Sequence, residues 1–250
     1  MQHSLPSLPN WTLVILAAGK GSRLGKPVPK PLVEVGGKPL MQPIVETGLA
    51  MGFHRVVVVI SEHTAQIKDH FSHLPLVYVT AEPKGTGYAV AKALEHVETP
   101  YFIVSGADDS YFYTKEMLTG LVQFHEKENI PLTMGYCVTH STHAAEVPEH
   151  RGGRITRIRQ DQEAFQTPPP KDIPAGLYAG KTEWVKEALT QVGEDARYKG
   201  EVPLPGIVHV GLAQGDEIGA FKVPEEQWHG VNTPEELAKA EEKAQRLAGN

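Results

Sequence analysis

The sequence predicts an α/β protein with a largely parallel sheet, and three features of its pattern carry that expectation. In the first half, short β-branched or aromatic runs at Thr12 to Leu16, Val56 to Ile60, Val77 to Val79 and Tyr101 to Ser105 are each followed by a helical stretch. That alternation is what crossover connections between parallel strands require. The stretches over 40–51, 63–71, 87–96 and 115–128 read as the intervening helices, the last stopped by Asn129-Ile130-Pro131. The second half changes character: Thr133 to Val138, Arg154 to Arg159, Ala175 to Ala179 and Glu217 to Val223 read as strands of mixed direction, separated by longer Pro- and Gly-rich connections.

Residues 160–174 are polar and include Pro168, Pro169 and Pro170, which predicts a mobile surface loop rather than an ordinary helix or a central strand. Residues 139–153 also read as loop. Near the end, Thr233-Pro234-Glu235-Glu236 forms a capping box with proline at the first helical position, followed by a helix to about Leu247. Residues 1–11 read as a loose extension and 12–250 as one domain. Its parts are a first half to residue 130, a second half over 131–230 and a closing helical segment.

Composition narrows the partners. The 250 residues carry 24 Lys+Arg against 30 Asp+Glu, a net charge of −6, with 40% hydrophobic residues. That balance, with no basic block interleaved with aromatics, argues against a nucleic-acid surface. The longest apolar runs, Leu13 to Ala18 and Val56 to Ile60, are too short to span a bilayer, and the first ten residues make a poor secretory signal. The single Cys137 excludes an intrachain disulfide and a thiolate zinc cluster. It fits a reducing compartment, and a cytoplasmic location is expected.

The most informative segment is Leu16-Ala17-Ala18-Gly19-Lys20-Gly21-Ser22-Arg23-Leu24-Gly25, directly after the first strand. Small residues there let backbone N–H groups approach a phosphate or a base. It is not a P-loop, because five residues separate Gly19 from Gly25 and Lys26 is followed by Pro27. It is not a dinucleotide fingerprint either, because Leu24 stands where the third glycine belongs. What it offers is a small-residue turn with Arg23, then Lys30 inside the proline-stiffened Pro27-Val28-Pro29-Lys30-Pro31. Two cations bracketing a turn at a strand end suit a triphosphate. A tight turn with solvated cations would produce the same pattern.

These residues, continued by Pro29-Lys30-Pro31-Leu32 and Gly37-Lys38-Pro39-Leu40-Met41, resemble the signature of the nucleotidyltransferases that make nucleoside-diphosphate sugars. The resemblance implies a Rossmann-like nucleotidyltransferase fold with a predominantly parallel mixed sheet. It implies Mg²⁺-dependent transfer of a nucleotidyl group, from UTP or dTTP in the first instance, to a sugar-1-phosphate. It places Arg23 and Lys30 on the phosphates as catalytic residues, and Leu16, Ala17, Ala18, Gly19, Gly21 and Ser22 around the nucleotide. The turn Gly85-Thr86 would meet the base, and Thr80 stands where relatives carry a base-reading Gln, which leaves the choice of nucleotide open.

The resemblance also implies a metal ligand at Asp108 in Ser105-Gly106-Ala107-Asp108-Asp109-Ser110, with Asp109 as a competitor, and a second ligand at Asn232. Gly106, Arg159, Gly176 and Glu201 fall near the segments where relatives hold the sugar phosphate. Two other readings stay open: a cytidylyltransferase acting on a phosphorylated alditol or choline, and a nucleotide-binding regulator without turnover.

Overall fold

The computed structural model describes residues 7–19, 21–140, 146–195 and 200–249, with the side chain of Ser22 left out. Its strands are β1 (Leu8–Leu16), β2 (Glu34–Val35), β3 (Lys38–Pro39), β4 (Phe53–Ile60), β5 (Val77–Thr80), β6 (Tyr101–Gly106), β7 (Leu132–Thr139), β8 (Glu146–Arg151), β9 (Arg154–Gln160), β10 (Lys171–Lys181) and β11 (Ile218–Lys222). Its helices are α1 (Gln42–Ala50), α2 (Gln66–His70), α3 (Thr86–Leu94), α4 (Lys115–Glu128), α5 (Asp161–Gln166), α6 (Thr182–Gln191), α7 (Gly206–Gln214) and α8 (Pro234–Ala248).

Nine strands form one sheet in the order β5-β4-β1-β6-β10-β7-β11-β9-β8, and β2 pairs with β3 alone. The four strands of the first half run parallel to one another. β10 is antiparallel to both β6 and β7, whereas β11 is parallel to β7. The expected mixed sheet is therefore present, with its change of direction at β10.

Alternation along each strand divides the core between the two faces. Leu13 and Ile15 of β1 pack with Ile44, Ile103 and Leu118 on one face, while Val14 packs with Val57, Phe102 and Ile207 on the other. A third, smaller cluster of Leu24, Val33, Val35, Leu40, Phe112, Val231 and Ala240 lies outside the sheet. It joins the segment after β1, the segment after β6, and α8. The cap of α8 is the expected one: the Thr233 hydroxyl accepts from the Glu236 N–H, and the Glu236 carboxylate accepts from the Thr233 N–H. Among the described residues no helix is long and apolar enough to cross a membrane.

Three expectations need correction. β1 starts at Leu8, so residues 8–11 belong to the sheet rather than to an extension; Trp11 is buried and stacks on Tyr101 at 5.0 Å. Residues 139–153 include strand β8, hidden in the sequence because Pro148, Glu149 and His150 break the apolar alternation. Residues 160–174 hold the short helix α5 and the first four residues of a central strand, β10. Proline is tolerated there because β10 pairs with β6 only from Leu177 onward, so Pro174 faces no donor-seeking neighbour on that side. Helices α6 and α7 were not anticipated.

His125 of α4 is fully buried between Trp11 and Tyr101, with Nδ1 2.9 Å from the Thr133 hydroxyl. Burial, aided by the charge of Lys181, pushes its pKa down to about 4. The unfolded chain takes up this proton near pH 6.5, so the contribution is complete above that pH and is lost as pH falls toward 4, to the extent of about 3 kcal/mol. Urea unfolding at pH 7 and pH 4.5 is expected to show a smaller acid loss in His125→Phe than in the native chain; equal losses would refute this.

Candidate active site

The site begins where β1 ends. The Ala107 N–H donates to the Leu16 carbonyl at 3.0 Å, the Ala17 N–H to the Val59 carbonyl at 2.8 Å, and the Ser61 hydroxyl to the Ala18 carbonyl at 2.9 Å. Leu16, Ala17 and Ala18 are thus held by the ends of β4 and β6, and the chain leaves the sheet along a fixed path. Gly19 follows, exposed and with open space where a side chain would stand.

Gly21 has a φ of +61°, and a Cβ there would come within 2.5 Å of the Lys30 Cβ. Ser22 and Arg23 lie in a 3₁₀ turn, Ser22–Leu24, closed by a bond from the Leu24 N–H to the Gly21 carbonyl. Pro29 precedes a second such turn, Lys30–Leu32, and its fixed backbone sets the direction in which Lys30 starts.

Lys30 is only 9% exposed. Its ammonium is hydrogen-bonded to the Asp108 carboxylate and donates to Asn232 Oδ1 at 2.8 Å. Arg23 Nη2 donates to the same Asn232 oxygen at 3.1 Å. The structure therefore brings together all four residues expected to carry the phosphates and the metal, from positions spanning most of the chain. The third apolar cluster explains how, since Leu24, Phe112 and Val231 lie close in sequence to Arg23, Asp108 and Asn232 respectively. Polar ties reinforce it. The Val231 N–H donates to the Asp108 carbonyl at 3.0 Å, the Tyr111 hydroxyl to the Val35 carbonyl at 2.5 Å, and the Gly36 N–H to Glu241 Oε2 at 2.9 Å.

Asp108 and Asp109, equivalent on paper, are separated by the fold. Asp108 meets Lys30, whereas Asp109 turns inward against two glycines. A Cβ at Gly106 would lie 2.9 Å from Asp109 Oδ1, and one at Gly176, whose φ is +69°, would lie 2.2 Å from Oδ2. Asp109 Oδ1 is buried without a hydrogen-bond partner. Burial, and then the charge of Asp108, push the Asp109 carboxyl well above the usual carboxylate range, with Lys30 opposing. The Ala175 carbonyl beside Gly176 accepts from the Tyr113 hydroxyl at 3.0 Å and from the Trp228 indole at 3.3 Å. Sequence reasoning does not point to these two aromatic anchors; for Tyr113 the run Tyr111-Phe112-Tyr113, one residue beyond the acids, is a usable signal.

The remaining candidates fall in other places. Thr80 ends β5 with its side chain exposed. The Gly85-Thr86 turn is locked against residues 202–204: the Gly87 N–H donates to the Val202 carbonyl at 2.9 Å, and the Thr86 hydroxyl accepts from the Leu204 N–H at 2.9 Å. A Cβ on Gly85 would lie 2.3 Å from the Val202 carbonyl oxygen, so packing by itself requires glycine there. Glu201 is exposed, with its Cβ beside Gly85. Arg159 departs from expectation. It lies on the β8–β9 hairpin, where it pairs with Glu149 and bonds to Thr167 at 3.5 Å, and none of its recorded contacts is with Lys30, Asp108 or Asn232. Carboxylates of its own hairpin and of α5 hold it there.

The donor set fits a hard divalent cation. Asp108 and Asn232 both present oxygen, and both already face a cation, the Lys30 ammonium. Among the described residues no group of three or more His, Cys, Asp or Glu could hold a metal alone. An ion such as Mg²⁺ would therefore take most of its ligands from phosphate oxygens and water.

This sheet, with a cationic and oxygen-donor cluster at its parallel strand ends, has the architecture of a nucleotidyltransferase. The chain belongs to the family described as the MobA-like NTP transferase domain, which it matches over residues 13–185. It is 30% identical over 240 residues to the bifunctional protein GlmU of Exiguobacterium sibiricum, covering 93% of this chain and 52% of that one. To the bifunctional protein GlmU of Desulfitobacterium hafniense it is 27% identical over 243 residues, 96% of this chain and 53% of the relative. The chain spans about half the length of these curated relatives. Two solved structures share the fold. A putative glucose-1-phosphate thymidylyltransferase from Bacillus anthracis has a TM-score of 0.78 at 17% identity, with 94% of this chain and 95% of that one covered. The inositol-1-phosphate CTP transferase from T. maritima has a TM-score of 0.74 at 16% identity, with 98% of each chain covered.

Replacing Gly21 tests the placement of Lys30 directly. Gly21→Ala is expected to cost about 1–3 kcal/mol of stability through its left-handed backbone and to weaken triphosphate binding at least roughly tenfold by displacing Lys30. Calorimetric titration with UTP, dTTP and CTP, alongside urea unfolding, checks both; unchanged binding would show that Lys30 does not need this glycine.

Proposed function

We propose that the protein transfers a nucleotidyl group from a nucleoside triphosphate, UTP or dTTP first among the candidates, to a sugar-1-phosphate, releasing pyrophosphate. The observation that carries the reading is the convergence of Arg23, Lys30, Asp108 and Asn232 at the ends of parallel strands. Open α/β sheets bind their ligands at that edge. In this reading the acceptor's phosphate oxygen attacks the α-phosphorus in line, and the bond to the pyrophosphate oxygen breaks. No side-chain nucleophile is needed.

Lys30 and Arg23 stabilise the charge that gathers on the α-phosphate and the departing pyrophosphate. Lys30 does so from a largely buried position and Arg23 from an exposed one, where it can follow the leaving group. Asp108 and Asn232 would hold Mg²⁺, which when bound supplies charge neutralisation between phosphates. The backbone from Leu16 to Gly19, together with Gly21 and Ser22, would lie along the nucleotide, and Gly85 and Thr86 would approach its base. Gly106 and Gly176, both close to the acidic pair, and Glu201 beside the base turn remain the candidates for the acceptor side. Thr80 in the place of a base-reading Gln keeps cytidylyl transfer to a phosphorylated alditol or choline as the second reading.

Magnesium-dependent pyrophosphate release is measured with the five common nucleoside triphosphates, crossed with sugar-1-phosphates and phosphorylated alcohols. Turnover with one pair is expected, falling by roughly 10²–10³ in Asp108→Asn. A phosphorylated alcohol with CTP as the productive pair would replace the first reading by the second. Saturable triphosphate binding without turnover in any combination would favour a regulatory protein.

A further inference from the structure

Lys243 of α8 is a lysine that the reading above does not use, and its surroundings are unusual for a cation on a C-terminal helix. The side chain is half-buried, and its ammonium stands 4.2 Å from the centroid of the Phe112 ring. It donates to the Trp228 carbonyl at 3.1 Å and to the Glu225 carbonyl at 3.5 Å. No carboxylate is recorded within ion-pair distance among the described residues. Its partners are an aromatic face and two backbone oxygens, so it binds segments of chain rather than another charge.

Those segments are the two arms of the site. Phe112 follows Asp108 by four residues and lies in the cluster that seats the loop after β6. Trp228 opens the run that leads through Val231 to Asn232, and its indole reaches the Ala175 carbonyl beside Gly176. Farther along that run, His229 Nε2 lies 2.8 Å from the Glu236 carbonyl, and its ring meets Phe112 edge-on. The Asn232 N–H donates to Glu236 Oε2 at 2.6 Å. α8 therefore grips the arm twice, at its end through Glu236 and at its base through Lys243.

Resting on the reading above, we infer that Lys243 is a positioning residue, which ties the arm carrying Asn232 to the arm carrying Asp108 and so sets the spacing of the two oxygen donors. Burial, with Arg246 on the same helix, pushes the Lys243 pKa down to about 8, and Glu226 of the loop opposes. His229 faces it from the loop, while Phe112 contributes no charge. Above pH 8 the ammonium becomes an amine, and its attraction to the ring disappears. An arginine at this place keeps its charge throughout.

The test compares Lys243→Met, Lys243→Arg and, as a control, Lys239→Met on the exposed side of α8. Three readouts are taken on the full chain: Mn²⁺ binding in the presence of UTP from pH 6.5 to 9.5, hydrogen exchange of the peptide covering 225–233, and the melting temperature. In the native chain Mn²⁺ binding is expected to weaken as pH passes 8. Lys243→Met is expected to bind roughly tenfold more weakly at pH 7, with no step at pH 8 and faster exchange at Val231 and Asn232. Because a half-buried charge is removed together with two hydrogen bonds and a ring contact, its melting temperature is expected to stay close to the native value. Lys243→Arg is expected to restore binding and remove the alkaline weakening, and Lys239→Met to match the native chain.

Native-like binding and exchange in Lys243→Met overturn the inference, as does a loss that Lys243→Arg fails to restore. Should Lys243→Met not fold, the native chain and Lys243→Arg compared above pH 8 decide it, and equal weakening in both overturns the inference. If the native chain binds no Mn²⁺ with any triphosphate, the functional reading fails and the metal-positioning role fails with it, while exchange at 225–233 still reports whether the tether exists. Metal binding that is intact in the native chain and indifferent to Lys243 sinks the tether alone.

Discussion

An ammonium group with almost no access to water must be met by oxygen, because burial otherwise leaves its charge without solvation. Lys30 is that group here, and much of the molecule is arranged to satisfy it. Asp108 supplies a charge from the end of β6, and Asn232 supplies a neutral carbonyl from the entrance to α8. Gly21 supplies only the absence of a side chain, so that the lysine stem can pass. The apolar cluster beneath, from Leu24 to Ala240, orders these segments as a unit, so none of the polar contacts has to bear the whole entropic cost alone.

The parallel half of the sheet was legible because its strands are continuous apolar runs bounded by turn residues, and the end of α4 and the start of α8 because the stop after Glu128 and the capping box at Thr233 are written in short local codes. The four cationic and oxygen-donor residues were expected for a different reason: Arg23 and Lys30 bracket a small-residue turn, and the family resemblance of their motifs implied all four. What could not be read depends on pairing between distant segments. β8 has no apolar alternation, and α5 is too short to show a period. The burial of Asp109 depends on Gly176, sixty-odd residues away, whose missing side chain leaves room for its carboxyl.

Three glycines of the site have packing reasons beside the functional ones expected of them. Gly85 belongs to the turn expected to meet a base, and the Val202 backbone occupies the space in which a side chain would stand, which gives the residue a packing reason as well. Gly106 and Gly176 were read as neighbours of a sugar phosphate, and each proves to press on a carboxyl group of the acidic pair. Arg159 shows the limit of reasoning from charge alone. An arginine near an expected anion site is still free to find a carboxylate closer by, and Glu149 across the hairpin is closer.

The short reach of β10 along β6 has a wider consequence. β10 keeps company with β7 as far as Lys171 opposite Thr139, but with β6 only as far as Leu177 opposite Ser105. Beyond that point the sheet forks, and the Asp108-Asp109 turn sits in the crotch. At the fork the Ala175 carbonyl is taken by two side chains, Tyr113 and Trp228, instead of by a strand. One prong is tied into the parallel strands; the other runs back through α5 to the β8–β9 hairpin. Along that prong the backbone of β10 is shared with β7 and not with β6.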